Sequence, residues 1–326
     1  MKALVTGAAG FIGSHLVEAL VREGAQVRCL VRPTTNRRWL QGLPVEWVYG
    51  DCRNPHSLVP VVQGVDQVFH LAGATRANTD AEFFEINATG TENLVRVCAE
   101  HNPRLTKFVL LSSQAAAGPG RPGMAKTETE PCEPISPYGR SKRRGEELAL
   151  AFRNRVNLVI LRPCAVYGPR DPDVLIIFQL AARRIKFHIA GLDQRISLCY
   201  ADDVVDAVIR AGRSECPSGE IFFVADGREY SLRQIGDIFS NALGKKALRF
   251  PVPTRVIMAL AWCAEAASRL TGKTCPLTKN KAKELVQANW VCDITKARAT
   301  LGYNPRYDLK SGSRFTVEWY RKEKWL

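Results

Sequence analysis

The chain lacks any apolar run long enough to cross a bilayer. Its most hydrophobic later segment, Val256 to Leu270, is interrupted by Glu265 and Arg269 and falls short of the roughly 20 apolar residues required, so it reads as an amphipathic helix. The N-terminus, Met1-Lys2 followed by an apolar strand, has neither the basic region nor the small-residue cleavage site of a secretory signal. A cytoplasmic location is the expectation. No C-x-x-C pair occurs among the ten cysteines, which do not cluster with the five histidines. This argues for free thiols and leaves no metal site to assign. Cys29, Cys98 and Cys164 sit among apolar residues, where a thiol behaves as a small hydrophobe. Repeats, low-complexity stretches and a long interdomain linker are also missing.

What is present is an ordinary globular composition, 46% apolar and 24% charged over 326 residues. The formal charge of +14 invites a nucleic-acid reading, but the basic clusters are short and dispersed: Arg37-Arg38, Lys142 to Arg144, Arg183-Arg184, Lys245-Lys246, Lys279 to Lys283 and Arg321 to Lys324. No nucleic-acid motif accompanies them. The surplus is read as solvated surface, with anionic small molecules and peripheral contact with anionic membranes left open.

Apolar periodicity alternates strands and helices in the first half. Strands are expected at Ala3–Thr6, Val27–Val31, Val45–Val48, Val68–Leu71, Phe108–Ser112 and Leu158–Arg162. Helices are expected through Leu16 and Leu20, near Leu58, from Ala81 to Glu100 and from Pro137 to Arg153. This rhythm predicts an α/β, Rossmann-type doubly wound parallel sheet over residues 1–163. Residues 164–326, with helices near Leu175–Arg183, Asp202–Ala211 and Leu232–Leu243 and a strand at Ile221–Ala225, are expected to form a smaller substrate-binding region that returns some elements to the sheet.

Directly after the first strand stands Thr6-Gly7-Ala8-Ala9-Gly10-Phe11-Ile12-Gly13. Glycines at 7 and 10 permit a tight turn and close approach to a pyrophosphate, Gly13 permits close helix–sheet packing, and the helix start at Phe11 and Ile12 offers unpaired N–H groups. A dinucleotide fits. The second strand ends in Leu30-Val31-Arg32 without a carboxylate, which favours NADP over NAD because a guanidinium can fork onto a ribose 2′-phosphate. Asp51, followed by Cys52, is either an acceptor for an adenine amino group or a cap for the next helix.

Tyr138-Gly139-Arg140-Ser141-Lys142 follows Ser136, a helix N-cap candidate, and Pro137 at the first helical position. At i and i+4 the phenol and ammonium share a face, and a nearby cation lowers a tyrosine pKa that is about 10 in isolation. Such a tyrosine serves as an acid or base. Ser113 lies at the carboxyl end of the Phe108–Ser112 strand, where open α/β sheets bind ligands.

With these motifs, His70–Gly73, Asn87 within NATGTENLV, Ser112-Ser113, Arg162 to Pro169, Ala201 to Val204 and Asp293 to Tyr303, the chain resembles the extended short-chain dehydrogenase/reductases, also called the NAD-dependent epimerase/dehydratase family, over nearly its whole length. The resemblance implies an enzyme using NADP or NAD on a small-molecule substrate. It makes Tyr138 the acid/base, Lys142 its tuner and a ribose ligand, and Ser113 the donor to the substrate oxygen. Asn87 would order the site, and Leu71, Ala72, Gly73, Pro163 and Val166 would line the cofactor. Tyr167 and Asp203 would be structural. A homodimer through helices near Ala81–Glu100 and Pro137–Arg153 is also implied.

Two positions depart from the sugar-nucleotide pattern of the family. Ala116-Ala117-Gly118 replaces a Val-Tyr-Gly, and Ile196 stands where a diphosphate-binding arginine is expected, with Arg195 adjacent. A net dehydrogenase or reductase acting on a secondary alcohol or ketone is therefore the leading expectation. A sugar-nucleotide 4-epimerase or dehydratase with retained NAD is the alternative. A cofactor-binding sensor without catalysis fits poorly with an intact Ser113, Tyr138 and Lys142.

Overall fold

The computed structural model describes residues 1–271 and 278–326, without the side chains of residues 268–271. Seven parallel strands form the main sheet: β1 (Lys2–Thr6), β2 (Gln26–Val31), β3 (Val45–Tyr49), β4 (Gln67–His70), β5 (Lys107–Leu111), β6 (Leu158–Pro163) and β7 (Glu220–Val224). Their spatial order is β7-β6-β5-β4-β1-β2-β3. The order reverses between β1 and β4, which opens a crevice at their carboxyl ends.

The strands read as continuous apolar runs because both faces are covered. The period of two divides each run between two cores. Ala3, Val5, Phe69, Val109 and Val159 face one core, closed by helices α1 (Phe11–Arg22) and α4 (Ala201–Arg213). Leu4, Val68, Phe108, Leu158 and Ile160 face the other, closed by α2 (Gly90–His101) and α3 (Pro137–Leu150). Helix α4 and strand β7 thus return to the sheet from beyond residue 163, β7 pairing with β6 from Glu220↔Val159 to Val224↔Pro163.

The expected helix from Ala81 to Glu100 is one path of three kinds: an α-helix at Asp80–Phe84, a π-helical turn at Glu85–Thr89, and α2. Near Leu58 a 3₁₀ turn, Pro55–Leu58, runs into Val59–Val62. The second lobe contains short strand pairs that periodicity did not announce: Ala165–Tyr167 with Leu198–Tyr200, Ile185–Ile189 with Leu248–Val252, and Arg195–Ile196 between Tyr230–Ser231 and Asn289–Trp290. The two- and three-residue strands among them are too short to show a period. An aromatic cluster of Tyr167, Phe178, Tyr200, Phe239 and Tyr320 forms this lobe's core. The helix read at Val256–Leu270 spans Thr254–Thr271, and no helix among the described residues is long and apolar enough to cross a membrane.

Candidate active site

The glycine-rich turn joins β1 to α1 at the point of strand reversal. Gly7 has φ +69°, and a Cβ there would lie 2.7 Å from the backbone of Leu71 and Ala72, the residues leaving β4. A Cβ at Gly13 would lie 2.1 Å from the Gly7 carbonyl oxygen. Only glycines permit this approach of helix, turn and neighbouring strand. Gly10 is the helix N-cap with no side chain capping it, so the first-turn N–H groups of Phe11, Ile12 and Gly13 remain available to an anion. These features fit a dinucleotide pyrophosphate.

Around this cradle the ends of β1 and β4 are tied together beneath the surface. Thr6 Oγ1 and His70 Nδ1 lie 2.7 Å apart, His70 Nε2 lies 3.0 Å from Thr91 Oγ1, and the Ala72 N–H donates to Thr6 Oγ1. Burial, with a smaller contribution from the Lys142 charge, brings the His70 pKa down to about 3. The imidazole is neutral and serves as a bridge. Its place in the His70–Gly73 motif was visible in the sequence; its threonine partners, 64 and 21 residues away, were not.

Arg32 is exposed beyond β2, and its backbone N–H donates to Thr35 Oγ1. The Arg32 charge reaches Asp51 at the end of β3. Asp51 is not a helix cap: its Oδ1 accepts from the Arg53 N–H, and its carboxylate pairs with the Arg53 guanidinium at 2.8 Å. That hydrogen bond holds its pKa below the usual carboxylate value. Cys52 packs nearby, its carbonyl accepting from Asn93 Nδ2 on α2, and burial pushes its thiol up to about 12. Arg37 is spread over Trp47 and Tyr49, and Arg38 over Trp39 and Trp325. Both are held by aromatic faces, whereas the Arg32 charge bears on Asp51.

Ser136 accepts from the Gly139 N–H and caps α3, with Pro137 in the first turn. Tyr138 and Lys142 then lie one turn apart. The Tyr138 ring is half-buried, edge-on to Phe83. Burial pushes its pKa up to about 12; a hydrogen bond with Ser113 opposes the rise and the Glu284 charge adds to it. This corrects the expectation of a phenol lowered by Lys142, because desolvation dominates. Lys142 is buried, donates from Nζ to the Leu111 carbonyl at 2.8 Å, and is brought down to about 8 by burial, against the influence of Glu146.

Ser113 N-caps the short helix Gln114–Ala117, its Oγ accepting from the Ala115 N–H, which leaves its own proton free to donate. On either side of it, Ser112 Oγ and Gln114 Nε2 are buried without a hydrogen-bond partner. Unpaired buried groups are costly. Asn87, on the π-helical turn, accepts from the Ala74 N–H and donates to the Ala74 carbonyl and to Ser141 Oγ. It pins the Leu71–Ala74 loop to α3, and Gly73 lies against it and Lys142. Pro163 ends β6, and Val166 packs on the core in the strand that follows.

Beneath Lys142, Glu146 and Arg162 form a buried pair at 2.6 and 2.9 Å. Glu146 is again one turn along the Tyr138–Lys142 face, a signal present in the sequence but unremarkable without its partner. Glu284 accepts a hydrogen bond from Ser136 Oγ and brings a second-lobe helix, Lys279–Leu285, to the start of α3. Arg195 pairs with Asp193 and Glu229. Tyr167 donates to the Asp308 carbonyl, and Asp203 accepts from the N–H groups of Arg306 and Tyr307.

A parallel sheet with a glycine-lined anion cradle at its switch point, adjoined by a tyrosine, a lysine and a serine, defines a dinucleotide-dependent oxidoreductase. The NAD dependent epimerase/dehydratase family matches residues 3–225, and the chain belongs to this family, the extended short-chain dehydrogenase/reductases. It is 30% identical to a ceramide reductase of Caulobacter vibrioides, over 99% of this chain and 95% of that one. It is 27% identical to 3beta-hydroxysteroid-dehydrogenase/decarboxylase isoform 1 of Arabidopsis thaliana, over 97% of this chain and 78% of that one. The crystal structure of gox2253 superposes with a TM-score of 0.83 at 26% identity, covering 100% and 99% of the two chains. A UDP-glucose 4-epimerase of Thermotoga maritima superposes at 0.81 with 24% identity, covering 99% and 100%, a likeness of fold. The protein is an oxidoreductase of an NAD-dependent family.

Proposed function

We propose that the protein catalyses net hydride transfer at a secondary alcohol or ketone of a largely apolar substrate, with NADP preferred to NAD. The observation that carries this reading is the close packing of the Tyr138 helix on the Ser113 turn at the carboxyl end of β5, where a Cβ on Gly139 would meet the Ala115 carbonyl oxygen at 2.4 Å. Gly7, Gly10, Phe11, Ile12, Gly13 and Lys142 would hold a nicotinamide cofactor, which when bound would supply the chemistry of hydride exchange with the substrate carbon. In reduction, Ser113 donates a hydrogen bond to the carbonyl oxygen and Tyr138 gives it a proton. The Lys142 ammonium stabilises the phenolate left behind. A phenol held at about 12 is protonated at neutral pH, the state an acid requires. In oxidation the same group must shed its proton, so that direction gains from rising pH.

The Arg195 ion pairs with Asp193 and Glu229, together with buried Ala116 and Ala117 in place of an aromatic hydroxyl, speak against a sugar-nucleotide diphosphate as substrate. The ceramide and hydroxysteroid named for the two relatives support an apolar one. Tyr138→Phe is expected to reduce ketone turnover by about 10²–10⁴-fold, the contribution of a positioned acid, while nucleotide binding persists. Turnover near that of the parent chain would overturn the assignment.

A further inference from the structure

Eleven large apolar side chains are exposed among the described residues, and six of them, Ile185, Leu248, Phe250, Val256, Leu260 and Trp262, belong to one neighbourhood of the second lobe. Strand Leu248–Val252 pairs in parallel with Ile185–Ile189, setting Leu248 beside Ile185 and Phe250 beside Phe187 on one face. The opposite face carries Lys186 and Arg249, both paired with Asp237. At the end of the apolar face, Val252 and Ile189 are covered by Ile257 and Ala261 of the helix Thr254–Thr271. The outer side of that helix repeats Val256, Ala259, Leu260 and Cys263, all exposed and spaced to form one uncharged stripe.

The border of this surface is cationic. Lys245, Lys246, Arg255, Lys281 and Lys283 are exposed along it. Lys246 and Arg255 are exposed beside the stripe, and the Lys279 ammonium sits over the Trp262 ring at 5.6 Å. An apolar stripe edged by cations and a tryptophan matches a helix lying in a lipid headgroup layer. A second copy of the chain would set two cationic borders against each other.

We infer that this surface docks on an anionic lipid bilayer. The inference rests on the proposed apolar substrate only for its purpose, since docking brings the site to where such a molecule resides. The path is short: Ala282 and Leu285 of the Lys279–Leu285 helix pack on Ile257 and Ala261, and Glu284 of the same helix holds Ser136 at the start of the Tyr138 helix.

The test is sedimentation of the full chain with vesicles of phosphatidylcholine alone and of phosphatidylcholine mixed with phosphatidylglycerol. Binding is expected to the mixed vesicles only and to fall with salt. Leu260→Asp is expected to weaken it about tenfold or more, and the pair Lys246→Glu/Arg255→Glu to weaken it and flatten its salt dependence. Equal binding to neutral vesicles, no effect of Leu260→Asp, or a solution dimer dissolved by Leu260→Asp would overturn the inference, the last assigning the face to a second copy. Turnover of a small water-soluble ketone is expected to be unchanged in Leu260→Asp. Failure of docking with turnover intact therefore leaves the catalytic reading standing, and loss of that reading through Tyr138→Phe leaves vesicle binding to be judged alone.

Discussion

His70 and Glu146 show how single buried polar groups set conditions on this fold. Below about pH 6.5 an unfolded chain protonates His70, whereas the folded one refuses the proton until about pH 3 because the ring is buried near Lys142. The unfolded state binds more protons throughout that window, so stability falls as pH falls, by at most about 1.4 kcal/mol per pH unit. His70→Gln is expected to reduce this slope, measured by urea unfolding between pH 7 and 5; an unchanged slope would assign the acid sensitivity elsewhere. Glu146, fully buried against Arg162, is the sole carboxylate of that hydrogen-bonded pair. Glu146→Gln leaves a guanidinium short of its counter-charge and is expected to cost about 3–5 kcal/mol, with much of that recovered in Glu146→Leu/Arg162→Met. A wild-type denaturation midpoint in the single variant would contradict this.

Among the elements, α3 is fitted closely to its neighbours. A Cβ at Gly139 would meet the Ala115 carbonyl oxygen at 2.4 Å, so this glycine sets how closely Tyr138 approaches Ser113. Gly139→Ala must push the helix from the Gln114–Ala117 turn. It is expected to lose about 1–3 kcal/mol of stability through overpacking and to lower kcat more than it raises KM, since the acid moves relative to the bound carbonyl. Steady-state kinetics beside thermal unfolding separates the two effects. The π-helical turn at Glu85–Thr89 is the other such element: it re-aims one residue, Asn87, so that its amide reaches both the Ala74 backbone and Ser141.

Across the whole molecule the proposed cofactor cradle would draw on segments that meet only when the sheet is complete: the turn after β1, the ends of β2 and β3, the loop after β4 and helix α3. Ligand binding is therefore linked to global stability. Saturating NADP is expected to raise the unfolding temperature more than NAD at equal concentration, and Arg32→Ser to remove that difference by costing NADP about tenfold or more in affinity. A variant that keeps the full NADP advantage would exclude Arg32 as the 2′-phosphate ligand.

Local pattern sufficed for a good part of this. Alternating apolar runs gave the parallel sheet, Gly7, Gly10 and Gly13 marked the turn after β1, and Ser136, Pro137, Tyr138 and Lys142 announced α3 and its working face, because each depends on neighbours within a few residues. Thr6 and Thr91 beside His70, Ala74 and Ser141 beside Asn87, and Arg162 beside Glu146 lie 13 to 64 residues away, and no periodicity encodes which distant groups will meet. The same limit applies to Tyr138. Sequence spacing placed a cation one turn away and suggested a lowered pKa, but burial by Phe83 and the surrounding chain pushes it upward, and desolvation is a property of the packed molecule. The sequence by itself determined the strands and helices of the main sheet, the glycine turn and the candidate reactive groups; the tertiary structure decided the second lobe's short strands, the partners of the buried polar groups and which apolar surface was left facing outward.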